Sequence, residues 1–155
     1  ADMYEEVFSS IGESNDDIAA RLAKTFEDEE QTEDKDRVVV MKDIDMFSFC
    51  EHHMALMYDM KATVAYIPKG RVIGLSKIAR ICDAVGKRLQ LQERIGRDIA
   101  DIMAKATGSD DVAVILTASH ACVTTRGIKN RSTRTKTVEL RGRFKTDATL
   151  QVYLQ

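Results

Sequence analysis

Two amphipathic helical stripes in the middle of the chain, bracketed on both sides by strand-like runs, narrow what it can fold into. Ile78, Ile81, Cys82 and Val85 fall at i, i+3, i+4 and i+7. Ile95, Ile99, Ile102, Met103 and Ala106 form a second stripe after a short break. Ser76 is placed to cap the first helix, and Gly108 to stop the second. Ahead of the helices, residues 37–50 mix β-branched and alternating residues. Residues 57–67 read as a second strand with Tyr58, Met60, Ala62, Val64 and Tyr66 on one face, ended by a Pro68-Lys69-Gly70 turn. Behind the helices, residues 111–119 read as a buried strand and residues 135–144 as the last one. Sequential strand pairs on either side of two helices predict an α+β fold: a four-stranded antiparallel sheet with both helices on one face.

The first 36 residues stand apart. Met3, Val7, Ile11, Ile18, Leu22 and Phe26 lie near helical spacing, with Ser14-Asn15 as an interruption and cap and residues 31–36 as a polar loop. We therefore expect an N-terminal helical segment over residues 1–36 and one domain over residues 37–155. A chain of 155 residues builds its own core. With helices on one face only, the other face and the edges of the sheet need cover, so self-association is expected.

Composition closes several classes. With 44% hydrophobic and 31% charged residues the chain is not of a disordered type. No apolar run approaches the roughly 18 residues of a membrane span, and no charged-then-apolar leader opens it. Three cysteines, an odd count, argue against a disulfide framework and for a reducing cytoplasm. The net charge of −2 hides an asymmetry. Residues 1–36 hold thirteen acids and three bases, while residues 37–155 hold twelve acids and twenty bases. The densest basic stretch, residues 126–145, carries eight bases against Glu139 alone. It suits phosphate, on a small molecule or a nucleic acid, or else is a solvated face paired with the acidic N-terminal part. A nucleic-acid module with a structural zinc is disfavoured. The stretch has no aromatic but Phe144, and there is no four-ligand finger spacing.

Chemistry concentrates in Cys50-Glu51-His52-His53 and His120-Ala121-Cys122, which contain every histidine of the chain. Cys50 and His53, with two residues between them, can reach one metal ion. Cys122 can supply a third ligand if the strand ending near Ser119 lies beside the one ending near Cys50. Two thiolates and one imidazole suit zinc, and three protein ligands leave a fourth position for a water acidified towards neutral pH. The remaining imidazoles, with an unperturbed pKa of about 6.5, suit proton transfer. Spacing does not say which histidine is ligand and which is acid or base.

These motifs, together with residues 72–80 (Val-Ile-Gly-Leu-Ser-Lys-Ile-Ala-Arg), residues 90–94 (Gln-Leu-Gln-Glu-Arg) and Arg126-Gly127, resemble the GTP cyclohydrolase I family in order and separation over about residues 37–145. Residues 3–8 also resemble the family's N-terminal helical part, although the family carries more residues ahead of Met3. The resemblance implies the tunnelling fold, assembled as a ring-shaped homodecamer of two stacked pentamers with active sites between subunits. It implies conversion of GTP and water to 7,8-dihydroneopterin triphosphate and formate, the first step of pterin and tetrahydrofolate synthesis. Cys50, His53 and Cys122 match the family's zinc ligands, and His52 and His120 its catalytic histidines. Gln92 and Glu93 match residues that recognise guanine, Ser76 a residue at the ribose, and Lys77, Arg80 and Arg126 residues holding the triphosphate. Zinc is the implied cofactor, with no nucleic acid or membrane partner. Related tunnel-fold enzymes with other reactions, pterin synthases and nitrile reductases, share the fold and not this set of motifs.

Overall fold

The computed structural model describes residues 1–27 and 37–155, so the polar loop expected at residues 31–36 lies outside the described residues. In chain order the elements are α1 (Asp2–Val7), α2 (Asn15–Leu22), β1 (Thr25–Glu27), β2 (Val39–Cys50), β3 (Leu56–Tyr66), β4 (Arg71–Ile73), α3 (Leu75–Gly86), β5 (Leu89–Gln90), α4 (Gln92–Thr107), β6 (Val112–His120), α5 (Ala121–Thr124), β7 (Thr135–Leu140), α6 (Arg143–Thr146) and α7 (Ala148–Gln151). A 3-10 turn, Val152–Leu154, follows.

β2, β3, β6 and β7 form the expected antiparallel sheet in that order. A fifth, two-residue strand was not legible: β5 joins the outer side of β2 in parallel, pairing Phe49 with Leu89 and Cys50 with Gln90. β1 and β4 make a separate two-stranded sheet. α3 packs on β2, and α4 on β6 and β7. Both helical stripes are core: Ile78, Ile81, Cys82, Val85, Ile95, Ile99, Ile102 and Met103 are all fully buried. Each large aliphatic side chain so placed contributes roughly 1.5–3 kcal/mol of burial. Gly108 ends α4 in the left-handed conformation, as its position suggested.

The N-terminal segment joins this core through α2. Its cap is a reciprocal pair: the Ser14 hydroxyl accepts from the Asp17 N–H at 3.1 Å, and the Asp17 carboxylate accepts from the Ser14 N–H at 2.9 Å. Ile18 and Leu22 then enter the main cluster. Phe26 does not continue their stripe. The helix ends at Leu22, and Phe26 pairs opposite Val72 in β1, exposed.

Three further expectations are corrected. Ser76 is not a cap. β4 ends at Ile73, so only Gly74 separates strand from helix and Ser76 falls in the first helical turn with its side chain exposed. Tyr58 leaves the face shared by Met60, Ala62, Val64 and Tyr66. An extra residue in β3, with Asp59 at φ 47°, shifts the register between Tyr58 and Lys61, so Met57 takes the inward position instead. The last strand stops at Leu140. Gly142, at φ 56°, turns the chain into α6, and a Cβ there would lie 2.1 Å from an Asp111 carboxylate oxygen. Phe144, read as the end of a strand, is instead buried with Leu150 and Leu154 against Ala65, Ile67 and Ala113. The C-terminal helices thus cover part of the second face of the sheet.

Gly86 marks the closest approach of α3 to β2. A Cβ on it would stand 2.4 Å from the Phe47 carbonyl oxygen and 3.2 Å from the Met46 methyl. Gly86→Ala is expected to lower the stability of the protein by roughly 1–3 kcal/mol through forced separation of helix and strand. Urea unfolding checks this, and an unchanged midpoint would show that the helix shifts freely.

Candidate active site

β3 lies between β2 and β6, so the two strands expected to be neighbours are not. Both are antiparallel to β3, run the same way and finish at the same end of the sheet. Cys50 is the last residue of β2 and His120 the last of β6, with Met57 opposite His120 in the β3 register. Cys122 follows at once in α5.

The Cys50-Glu51-His52-His53 motif is a tight turn from β2 into β3. Cys50 N–H donates to the Ala55 carbonyl and Met54 N–H to the Cys50 carbonyl, both at 2.8 Å, with Met54 at φ 49°. Glu51 anchors it sideways: its N–H donates to the Gln90 carbonyl at 2.9 Å, and its carboxylate accepts from Arg94 of α4 at 2.5 Å. The ion pair is largely exposed and adds little stability; it ties the turn to the start of α4. His52 and His53 project as exposed rings, nearly perpendicular, with centroids 6.1 Å apart.

The first turn of α4 closes the third side. Gln92 is 2% exposed, and its side-chain NH2 donates to the Thr135 carbonyl at 3.0 Å and to the Leu116 carbonyl and Thr137 hydroxyl at 3.3 Å. Its amide oxygen lies 2.6 Å from His120 Nε2. Glu93, next in the chain, is exposed at the helix N-terminus, where the peptide dipoles favour a negative charge. Burial holds the His120 imidazole below its usual pKa, and the Glu93 carboxylate pulls it the other way.

These elements enclose a cavity of about 550 Å³. Cys50, His52, His53, His120 and Cys122 all line it, as do Gln92 and Glu93. Arg94 and Arg97 line it too, without a role in the sequence reading. The signal for Arg97 was its position one helical turn after Glu93, on the same face of α4. Ser76, Lys77, Arg80 and Arg126 do not line the cavity. Ser76, Arg80 and Arg126 are exposed, Lys77 is half-buried, and Arg80 borders a different depression beside α2.

Among the described residues, no three His, Cys, Asp or Glu side chains stand close enough to hold a metal ion as they are. The donor set nevertheless fits one. Two free thiols and several imidazoles on one cavity wall are the ligands a borderline-soft divalent cation selects.

The profile of the family described as GTP cyclohydrolase I matches residues 1–154. The chain belongs to that family. Among its relatives, GTP cyclohydrolase 1 of Ruminiclostridium cellulolyticum is 62% identical over 151 residues, covering 97% of this chain and 77% of the relative. GTP cyclohydrolase 1 of Clostridium botulinum strain Loch Maree is 60% identical over 148 residues, covering 95% and 76%. That of Clostridium acetobutylicum is 57% identical over 150 residues, covering 97% and 77%. Within this chain the third cysteine stands outside the site. Cys82 is fully enclosed in the core, and burial pushes its thiol pKa up to about 12.

Alkylation of the native, metal-free protein is therefore expected to label Cys122 first and to leave Cys82 untouched until the chain unfolds. Peptide mapping after iodoacetamide treatment checks this. Early label on Cys82 would mean that the core opens far more readily than its packing indicates.

Proposed function

We propose that this chain hydrolyses GTP to 7,8-dihydroneopterin triphosphate and formate at the cavity between the ends of β2 and β6, in the cytoplasm. The carrying observation is that one cavity gathers both motif cysteines, all three histidines and the carboxylate of Glu93. Relatives about 60% identical bear the name of this activity.

The residues divide the work by their chemistry. Glu93 accepts hydrogen bonds from the N1 and N2 edge of guanine and so orients the imidazole ring of the base. His120 delivers a proton to N7, which makes C8 electrophilic. His52, exposed on the motif turn, exchanges protons as water hydrolyses the formyl group to formate. Cys50, His53 and Cys122 are the ligands that would hold zinc. Bound there, zinc would supply Lewis acidity that lowers the pKa of water towards neutrality. Ser76 contacts the ribose hydroxyls during sugar opening and rearrangement. Lys77, Arg80 and Arg126 hold the triphosphate, whose dense charge calls for several cations.

In one chain those last four residues stand outside the cavity lining, and a second copy would bring them to a bound GTP. We therefore read the active unit as an assembly, a homodecamer of two pentameric rings. Support comes from β7, which is an edge strand of the sheet with Val138 half exposed, a surface open to strand pairing. No helix among the described residues is long and apolar enough to cross a membrane.

Incubation with GTP is expected to release formate and a pterin that fluoresces after oxidation, and a chelator is expected to abolish both. Full activity in a metal-stripped sample would remove zinc from the reading. Cys122→Ser is expected to lose bound zinc and turnover together; retention of stoichiometric zinc would overturn its place among the ligands. Glu93→Gln is expected to raise KM for GTP by roughly 10-fold or more, because a carboxylate facing two N–H donors is replaced by a neutral amide. An unchanged KM would put Glu93 elsewhere than at the base.

A further inference from the structure

We propose that this chain carries a second binding site, for a phosphate-class anion, in the depression between the start of β3 and the loop that follows α5. The depression measures about 500 Å³ and is lined by Tyr58, Thr124, Thr125, Lys129 and Arg131. None of these residues lines the cavity that gathers the cysteines and histidines.

The two hollows lie back to back on the same elements. Met57 lines the catalytic cavity, while Tyr58, next along β3, lines the second hollow; successive side chains of a strand point to opposite faces. On α5, Cys122 lines the first and Thr124 the second, and side chains two residues apart stand about 200° apart around a helix. The second hollow thus opens on the other side of these elements from the cavity.

Its lining suits an anion. It holds a lysine and an arginine and no acid. Lys129 and Arg131 belong to the densest basic stretch of the chain, and neither side chain has an ion-pair or hydrogen-bond partner among the described residues. Arg134, by contrast, is committed: it donates to the Asp59 carbonyl at 2.6 Å and to the Ser119 hydroxyl at 3.4 Å. Hydroxyls stand beside the two free cations. The Tyr58 and Thr124 oxygens lie 2.9 Å apart and share one hydrogen bond. A single bond between two hydroxyls uses one of their two hydrogens, so the other is left to donate. Thr125 spends its own hydrogen on the Ala121 carbonyl at 2.6 Å. A guanidinium, an ammonium and a hydroxyl donor around one hollow match the several oxygens of a phosphoryl group.

The backbone holds the cations at the rim. Lys129 N–H donates to the Arg126 carbonyl and Asn130 N–H to the Val123 carbonyl, both at 3.0 Å, which folds the loop back onto α5. Gly127 at φ 56° and Lys129 at φ 50° make the turn. A lysine in the left-handed region is uncommon, and here it belongs to the turn that brings Lys129 and Arg131 to the same hollow.

Calorimetric titration of inorganic phosphate into the zinc-loaded, assembled protein, at about 0.15 M chloride to screen diffuse attraction, tests the site. Lys129→Met and Arg131→Met are each expected to weaken one class of bound phosphate by about 10-fold, and Tyr58→Phe by about 3-fold. In all three variants KM for GTP is expected to stay within about 2-fold of wild type. No phosphate binding by the wild type, or equal isotherms for the wild type and both charge variants, would overturn the site. So would weakening by the two charge variants with Tyr58→Phe unaffected, which would mean attraction to surface charge without a pocket. A KM raised about 10-fold in parallel with lost phosphate binding would show that the phosphates received are those of the substrate, and a separate site would be ruled out. Phosphate binding is read directly, so absence of GTP turnover in the wild type would sink the reading of the catalytic cavity and leave this site standing.

Discussion

Because β3 pairs antiparallel with both β2 and β6, those two strands have to run in the same direction and finish at the same end of the sheet. Everything at the site depends on that constraint. It brings the turn after Cys50 and the short helix after His120 to one rim, although about 70 residues of chain separate them. The hydrogen-bonded ladder fixes the distance between the two ends more firmly than loops would, because a slip of one residue would turn the inward face of β3 outward. Fully buried Met60, Ala62, Val64 and Tyr66 hold that register. The extra residue at Asp59 then lets Met57 return to the inward side, so β3 stays buried up to the point where it meets His120.

The helices serve the site through what they bury. α4 lies on β6 and β7 with Ile95, Ile99, Ile102 and Met103 fully enclosed, and this places its first turn beside the strand ends. The same turn offers three side chains with three destinations. Gln92 goes inward to the β6–β7 pair and His120, Glu93 faces the cavity, and Arg94 reaches back to Glu51. A second polar group steadies the far side of the helix. Asp98 accepts from Gln90 at 3.2 Å and from Asn15 at 3.3 Å, with the Arg88 guanidinium 3.6 Å away. This ties α2 and β5 to α4. Buried groups of this kind are costly unless satisfied, and Arg88 Nε and Nη2 and Gln90 Oε1 have no partner among the described residues, so the Asp98 contacts offset only part of the cost of burying the cluster.

The legible parts of the fold were those with long periodic stretches. Both central helices, the four antiparallel strands, the Ser14 cap and the Gly108 stop are present as the residue pattern indicated. The missed parts are short or depend on distant partners. β5 has two residues and exists because β2 offers an open side; β1 and β4 exist because they meet. The exit of Tyr58 from its expected face comes from a bulge that alternation alone does not reveal. Phe144 continues a strand-like pattern, yet Gly142 turns the chain and the side chain fills a gap against Ala65 and Ala113.

At the site, the division has a chemical basis. The residue types alone singled out side chains that the fold brings to one cavity, because thiols and imidazoles clustered in two short motifs have few structural uses. The family motifs around them named the activity that the relatives carry. Which atoms face which, however, followed only from three-dimensional packing. That Gln92 turns to His120, that Arg97 shares the cavity and that Ser76, Arg80 and Arg126 stand away from it depend on where whole elements come to rest. A sequence specifies chemistry locally, residue by residue. Distance and direction between segments far apart in the chain are set by the burial of the two helices against the sheet, and only the folded molecule contains them.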